Sequence, residues 1–223
     1  MSRTALGRLV IILVFILPLG LVAFMYSASE PVRTSVPYEY DLVENGDTLF
    51  HALPVFALED LDGQAFTDQD LKGNVSVINF FTTQNDPQLL TKVLHGNLKR
   101  TFSNINWERE PNLLFVAINM GDTLPEVQTY WQNQQQDLHE QGWKILTGAQ
   151  EEIYKLATQG LTIPDFVRHQ PGDAPFTAQT VALVDKSGRV RKYYKVTDLA
   201  EERKLQEDII ALWRMEYPEE LEG

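Results

Sequence analysis

The feature that most restricts the fold of this chain is a pair of mainly apolar segments, Val75–Phe81 and Leu113–Ile118. Both have the length of a strand, and neither shows the regular alternation of a half-exposed strand, which is typical of central strands covered on both faces. Between them lies a segment whose apolar residues recur at the spacing of one helix face. We predict that this helix begins at Asp86 and Pro87, because Asp favours the N-cap and Pro favours the first helical position. This strand–helix–strand order predicts parallel strands with helices packed on the sheet.

Shorter elements extend the alternation on both sides of this pair. A β-hairpin is predicted for Pro54–Leu58 and Ala65–Thr67, because the Asp62 and Gly63 between them favour a tight turn. Three further helices are predicted at capping boxes. These helices begin at Thr123, Thr147 and Asp198. Strands are predicted over Trp143–Leu146, Val181–Val184 and Val190–Tyr194. This order predicts an α/β domain with a thioredoxin-like fold: a central mixed sheet with helices on both faces.

The first 25 residues form a separate segment. No charged residue occurs from Leu9 to Met25, while Arg3 and Arg8 lie at the start of this apolar run. The run approaches the ~20 residues that span a bilayer, and its basic flank favours a cytoplasmic N-terminus. We therefore predict one uncleaved transmembrane helix over 1–25, a linker over 26–47 and a single domain over 48–223. A cleaved signal peptide with small residues at 27–29 is the alternative.

Composition excludes several classes of function. The chain has 19 Lys and Arg against 31 Asp and Glu, so its formal net charge is −12, which is opposite to the charge of a non-specific nucleic-acid binder. Its acidity favours basic protein partners through long-range attraction. Cysteine is absent. The chain therefore has no disulfide, no thiolate nucleophile and no thiol redox centre, and we expect no enzymatic activity of that kind.

Four motifs occur in order along the domain: Pro54–Leu58, Ile78–Thr83, Asn119–Glu126 and Leu183–Arg189. Together they resemble the Sco/SenC family over about residues 50–217. Members of this family are membrane-anchored thioredoxin-fold proteins that deliver copper during the assembly of cytochrome oxidase. The resemblance implies the same fold and the same single-anchor topology for this chain.

The same resemblance implies that the copper site of the family has been lost. The two cysteines of the family, four residues apart, fall on Gln84 and Gln88, and its histidine falls on Thr177. Soft thiolates select Cu(I), whereas an amide oxygen is a harder, neutral donor and a hydroxyl is a poor ligand at neutral pH. We therefore expect no catalytic residue, no bound cofactor and no copper at these three positions.

A relocated metal site is the alternative, because imidazole and thioether groups also bind copper. His95 lies one heptad after Gln88 on the predicted helix, and His169 lies in the loop where the family's histidine-bearing hairpin begins. With Met120 they would supply three ligands. The simpler interpretation is that His95 and His169 are exposed surface residues. The same interpretation applies to the two other histidines of the chain, His51 and His139.

The leading hypothesis is a non-catalytic, Sco-like accessory protein that acts by protein contact. Its domain would lie on the periplasmic side of the inner membrane, held by the single N-terminal span, and its partner would be a respiratory oxidase or an assembly factor of that enzyme. Copper handling at the relocated site is the second hypothesis. A structural subunit of a membrane complex is the third. The sequence leaves the partner and the oligomeric state open.

Overall fold

The computed structural model of the chain describes residues 35–42, 48–84, 89–133 and 142–221. The predicted transmembrane segment over 1–25 lies outside these ranges and stays a prediction. Within the described ranges, no helix combines the length and the apolar character needed to cross a bilayer.

A seven-stranded mixed sheet forms the centre of the domain, and its strand order is β4-β3-β7-β6-β5-β8-β9. β5 pairs in parallel with β6, and β6 pairs in parallel with β7, whereas the four outer pairings are antiparallel. A separate two-stranded hairpin, β1-β2, precedes the sheet. The strands are β1 Tyr40–Leu42, β2 Thr48–Phe50, β3 Ala57–Asp60, β4 Ala65–Thr67, β5 Val75–Phe81, β6 Leu113–Asn119, β7 Trp143–Thr147, β8 Thr180–Val184 and β9 Val190–Lys195.

Helices cover both faces of the sheet, as the strand–helix alternation predicts. Adjacent residues of β5 alternate between two apolar cores: Val77 and Phe81 belong to one, and Ile78 and Phe80 to the other. The first core contains residues of α2, α3 and α5, and the second contains residues of α1 and α4. The helices are α1 Asp68–Leu71, α2 Leu90–Ser103, α3 Leu124–Gln132, α4 Gln150–Lys155 and α5 Leu199–Glu216, with a π-helical turn at Leu156–Gly160 and 3₁₀ turns at Pro164–Arg168 and Pro218–Leu221.

Two of the predicted helix starts are correct. Thr123 and Glu126 form the reciprocal capping box at the start of α3. Asp198 is the N-cap of α5, and its carboxylate accepts a hydrogen bond from the backbone N–H of Ala200 at 2.7 Å. Glu201, three residues after Asp198, stands where a capping box has its second residue. It forms an ion pair with Lys204 instead.

Two other predicted starts are wrong. α4 begins at Gln150 with Ala149 as its N-cap, because Thr147 is the last residue of β7 and pairs there with a residue of β3. α2 begins at Leu90, and its N-cap is Leu89 in a left-handed conformation with φ 53°. Asp86 and Pro87, which were expected to start this helix, lie outside the described residues.

Residues 35–39 form an N-terminal arm that packs on the domain ahead of β1. Val36 is only 1% exposed and lies in the first core. The backbone N–H of Glu39 donates to the carbonyl of Val190 at 3.1 Å, so the arm lies beside the start of β9. Part of the predicted linker over 26–47 therefore packs with the domain.

A buried arginine holds this arm. The Arg191 side chain donates to the carbonyl of Pro37 at 3.4 Å, and its guanidinium carbon lies 3.9 Å from the centre of the Tyr38 ring. The carboxylates of Asp185 and Glu216, 3.5 and 3.3 Å from Nη1, balance its charge. Because Arg191 is 2% exposed, these contacts replace the hydration that its charge loses on burial.

We expect Arg191→Met to destabilise the domain by about 3 kcal/mol, because removal of one partner leaves buried carboxylates without a counter-charge. Urea unfolding of the detergent-solubilised full chain, followed by circular dichroism, measures this loss. Arg189→Met is the matched control, since Arg189 is exposed and its guanidinium lies over the Tyr38 and Phe50 rings, 6.0 and 5.2 Å from their centres. Equal effects of the two substitutions would contradict the assigned role of Arg191.

Candidate functional site

The candidate site lies at the end of the sheet where the central parallel strands terminate. Phe81 is the last residue of β5 and pairs with Asn119, the last residue of β6. Loops that follow adjacent parallel strands meet at such an edge, which is the usual place for a functional site in an α/β sheet. The segment before β8 returns to the same edge, since the N–H of Ala178 donates to the carbonyl of Phe80 at 3.0 Å.

The hydroxyls of Thr91 and Thr177 and the backbone of Thr82 form a buried hydrogen-bonded loop at this edge. The backbone N–H of Thr82 donates to Oγ1 of Thr177 at 3.1 Å, and the two hydroxyls of Thr91 and Thr177 lie 2.6 Å apart. The Thr91 hydroxyl in turn donates to the carbonyl of Thr82 at 2.7 Å. Thr177, the least buried of the three, is 9% exposed. The position that the resemblance matches to a metal-binding imidazole therefore closes a network of protein hydrogen bonds.

A buried carboxylate joins this network to β6. Asp122 accepts from the Thr82 hydroxyl at 2.6 Å, from the Thr83 backbone N–H at 2.6 Å and from the side-chain amide of Asn119 at 2.5 Å. These bonds satisfy a charged group that is only 5% exposed. Asp122 thus fixes the path of the chain after β5.

Gln84 points across the surface to the first turn of α3. Its Nε2 donates to Oε2 of Glu126 at 2.9 Å, and its backbone N–H donates to the Thr82 hydroxyl at 3.1 Å. Hydrogen bonds from the side chain and backbone of Thr123, and then from Gln84, lower the pKa of Glu126. Gln88, the second position matched to a family cysteine, lies outside the described residues.

A shallow, open depression of about 480 Å³ lies beside Gln84 on this surface. The residues that line it are Thr83, Gln84, Pro125, Glu126, Thr129 and Tyr130.

The expectation that His95 is exposed is wrong. His95 is 3% exposed and packs edge-on against Phe81 with ring centroids 4.8 Å apart. Its Nε2 lies 3.2 Å from Nδ2 of Asn79, and its Nδ1 lies 2.9 Å from the hydroxyl of Tyr130. With the Asn79 amide assigned as the donor, Nδ1 carries the proton. Burial lowers the pKa of His95 to about 3, so the ring is neutral at physiological pH.

The structure does not bring the three residues of the relocated metal site together. His95 belongs to the face of the sheet that carries Phe81, whereas Met120 lies in the core on the opposite face. His169 stacks on Phe176 at 3.8 Å, and Phe176 packs against that opposite core.

Metal-binding groups are scarce elsewhere in the domain. His51, the third histidine that the structure describes, accepts from or donates to the hydroxyl of Tyr193 at 3.0 Å, and His139 lies outside the described residues. Among the described residues, no group of three or more His, Asp or Glu side chains is arranged to hold a metal ion. The oxygen groups at the site itself, amides, hydroxyls and the carboxylates of Asp122 and Glu126, do not fit Cu(I), which prefers thiolate and thioether sulfur.

Two participants in the site were not singled out from the sequence. Thr91 lies in the first turn of α2, where a threonine carries no signal beyond its helical position. Glu126 was recognised as part of a capping box, but its bond to Gln84 spans 42 residues. Only the fold shows that contact.

The sheet order, the helices on both faces and the site at the carboxyl ends of β5 and β6 define a thioredoxin-like protein. The family model described as SCO1/SenC matches residues 47–214. The chain therefore belongs to the SCO1/SenC family. No curated protein matches it in sequence.

Solved structures of Sco proteins resemble the fold at low sequence identity. BsSco, described as a member of the Sco family of cytochrome c oxidase assembly proteins, is 20% identical, with 75% of this chain and 96% of BsSco covered and a TM-score of 0.58. A SCO1/SenC family lipoprotein from Bacillus anthracis str. Ames is 22% identical, with coverages of 74% and 96% and a TM-score of 0.59. Yeast Sco1 with copper bound is 20% identical, with coverages of 72% and 93% and a TM-score of 0.52.

We expect Thr177→Val to destabilise the domain by about 1–3 kcal/mol, because the buried N–H of Thr82 loses its acceptor. Thr177→Ser keeps the hydroxyl and is the matched control, with an expected loss below about 1 kcal/mol. Urea unfolding at neutral pH compares the two variants. A valine variant as stable as the serine variant would show that the hydroxyl loop adds nothing.

Stability is expected to fall as the pH drops from about 6.5 to 5. The unfolded chain protonates His95 near its ordinary pKa of 6.5, whereas the folded chain resists protonation down to a pKa of about 3. The wild type should therefore lose about 2 kcal/mol more over this interval than His95→Gln, which has no titrating ring. Urea unfolding at pH 6.5, 6 and 5 tests this difference, and parallel pH profiles of the two proteins would contradict it.

Proposed function

We propose that this protein is a non-catalytic Sco-like accessory protein that acts by contact with other proteins and carries no copper. BsSco, which has a similar fold, is described as a member of the Sco family of cytochrome c oxidase assembly proteins, and yeast Sco1 has been solved with copper bound. The proposed partner is accordingly a respiratory oxidase or one of its assembly factors. The proposed location is the periplasmic side of the inner membrane, with residues 1–25 as the anchor.

The observation that carries this proposal is the bonding of Thr177. Its hydroxyl is already engaged by the Thr82 backbone and the Thr91 hydroxyl, so the position is committed to internal hydrogen bonds. Gln84 is likewise bonded to Glu126. A chain without cysteine cannot supply thiolates anywhere else, and it cannot exchange disulfides.

Hydrogen bonds to buried groups hold this edge of the domain in place, and this supports a role in docking. The network around Asp122 holds Thr83 and Gln84 at the surface through bonds to buried groups. A backbone held by buried partners loses little conformational entropy on binding, which favours association. The scaffold thus keeps an ordered surface at the edge where its relatives carry their chemistry.

Titration of the full chain with Cu(I) against a competing chelator tests the absence of copper handling. We expect no stoichiometric binding at micromolar copper. The matched variant Gln84→Cys/Gln88→Cys/Thr177→His restores the donor set that the resemblance implies, and we expect it to bind one Cu(I).

Stoichiometric binding by the wild type would overturn the proposal. Failure of the folded triple variant to bind copper would show that the three positions do not correspond to the family's ligands. Co-purification with oxidase subunits from gently solubilised membranes tests the partner separately.

A further inference from the structure

The depression beside Gln84 contains a carboxylate whose orientation is fixed. Oε2 of Glu126 accepts three hydrogen bonds: from the Thr123 backbone at 2.9 Å, from the Thr123 hydroxyl at 2.8 Å and from Gln84 at 2.9 Å. Within the part of the chain that the structure describes, no group donates to Oε1. A carboxylate offers about four acceptor positions, so Glu126 retains capacity for a further donor.

The surroundings of this carboxylate are suited to a long cationic side chain. The rings of Pro125 and Tyr130 line the same depression and provide an apolar wall. An aliphatic stem packs against such a wall, and a cation near a tyrosine ring is attracted by its π electrons. Glu126 is ionised at neutral pH, because its hydrogen bonds hold its pKa below the ordinary value.

We propose that this depression binds an arginine or lysine side chain of a partner protein, with Oε1 of Glu126 as the acceptor and the Pro125 and Tyr130 rings against the stem. The inference rests on the proposed role in protein contact and names the chemistry of the partner at that contact. Gln84 thereby gains a role at a position matched to a lost copper ligand, since its amide orients the recognising carboxylate.

Glu126 is the one charged residue among those that line the depression. Glu126 is the only charged residue of α3, and the charged residues of α2 are all basic: Lys92, Lys99 and Arg100. The net charge of −12 attracts basic partners at long range, while binding at this edge depends on a single positioned ion pair.

The first experiment uses the full chain in detergent and amide chemical shifts in NMR spectra. The probe is the capped peptide Gly-Arg-Gly, and its matched control is the same peptide with citrulline, which has the shape of arginine without the charge. We expect saturable shifts at Thr83, Gln84 and Thr129 with the arginine peptide and far smaller shifts with citrulline. Equal shifts with both peptides, or shifts spread over the domain, would overturn the proposal.

A pair of isosteric substitutions separates the site from net charge. Glu126→Gln is expected to weaken arginine-peptide binding by about fivefold or more, because it removes the ion pair. Glutamine is accepted at this position of a capping box, so the helix start is retained. Glu219→Gln changes the net charge equally at an exposed position in the last 3₁₀ turn and should leave binding unchanged. Equal binding by the Glu126 variant and the wild type would contradict the inference.

Thr129→Arg provides a second variant that does not touch the carboxylate. It places a guanidinium inside the depression, where it competes with the peptide, so we expect binding to be lost while the thermal unfolding temperature stays near that of the wild type. Retained binding by this variant would overturn the location of the site. These outcomes are independent of copper: a wild type that binds Cu(I) defeats the proposed function, whereas failure of peptide binding alone defeats only this inference.

Discussion

The structure depends on a simple requirement at the carboxyl ends of β5 and β6: buried polar groups must be paired. Thr82 leaves the sheet there, and its N–H, carbonyl and hydroxyl are all engaged, by Thr177, Thr91 and Asp122 respectively. Every bond is made between groups of the protein, so the edge needs no external ligand to remain ordered. An unpaired donor or acceptor at such a place costs more than a hydrogen bond contributes, which explains why these contacts converge.

This requirement explains how a thioredoxin-like scaffold is compatible with the absence of cysteine. A metal site normally holds its loops through coordination bonds, and removal of the ligands leaves those loops without support. Here the hydroxyl of Thr177 and the carboxylate of Asp122 supply that support from inside the domain. The chain keeps the architecture of the SCO1/SenC family while its surface chemistry is that of amides, hydroxyls and a carboxylate.

Patterns within a continuous segment predicted the fold well. The apolar runs at β5 and β6, the turn at Gly63 and the capping box at Thr123 each depend on neighbours in sequence, and all are present. The failures arise where distant partners decide. His95 looks like a surface residue on its helix, yet residues of β5 and α3 enclose it.

The candidate site shows the same division. The absence of cysteine is visible from composition alone, because it depends only on residue type, whereas the match of Gln84, Gln88 and Thr177 to the family's ligand positions stays a prediction from the resemblance. The hydroxyl loop was not visible, since it joins residues 95 positions apart through the register of the sheet. Thr147 failed as a helix cap for a related reason: pairing with Glu59 committed it to a strand.

The N-terminal arm joins the domain at the pole opposite to the candidate site. Arg191 and the arm lie near the start of β9. The turn before β9 lies at the same end as the start of β5, because its Lys186 carbonyl accepts from the N–H of Gly73. Gln84 follows the other end of β5. Seven residues of β5 at about 3.3 Å each separate the two poles by about 20 Å. A partner that binds at Gln84 therefore meets the end of the domain that lies away from the arm.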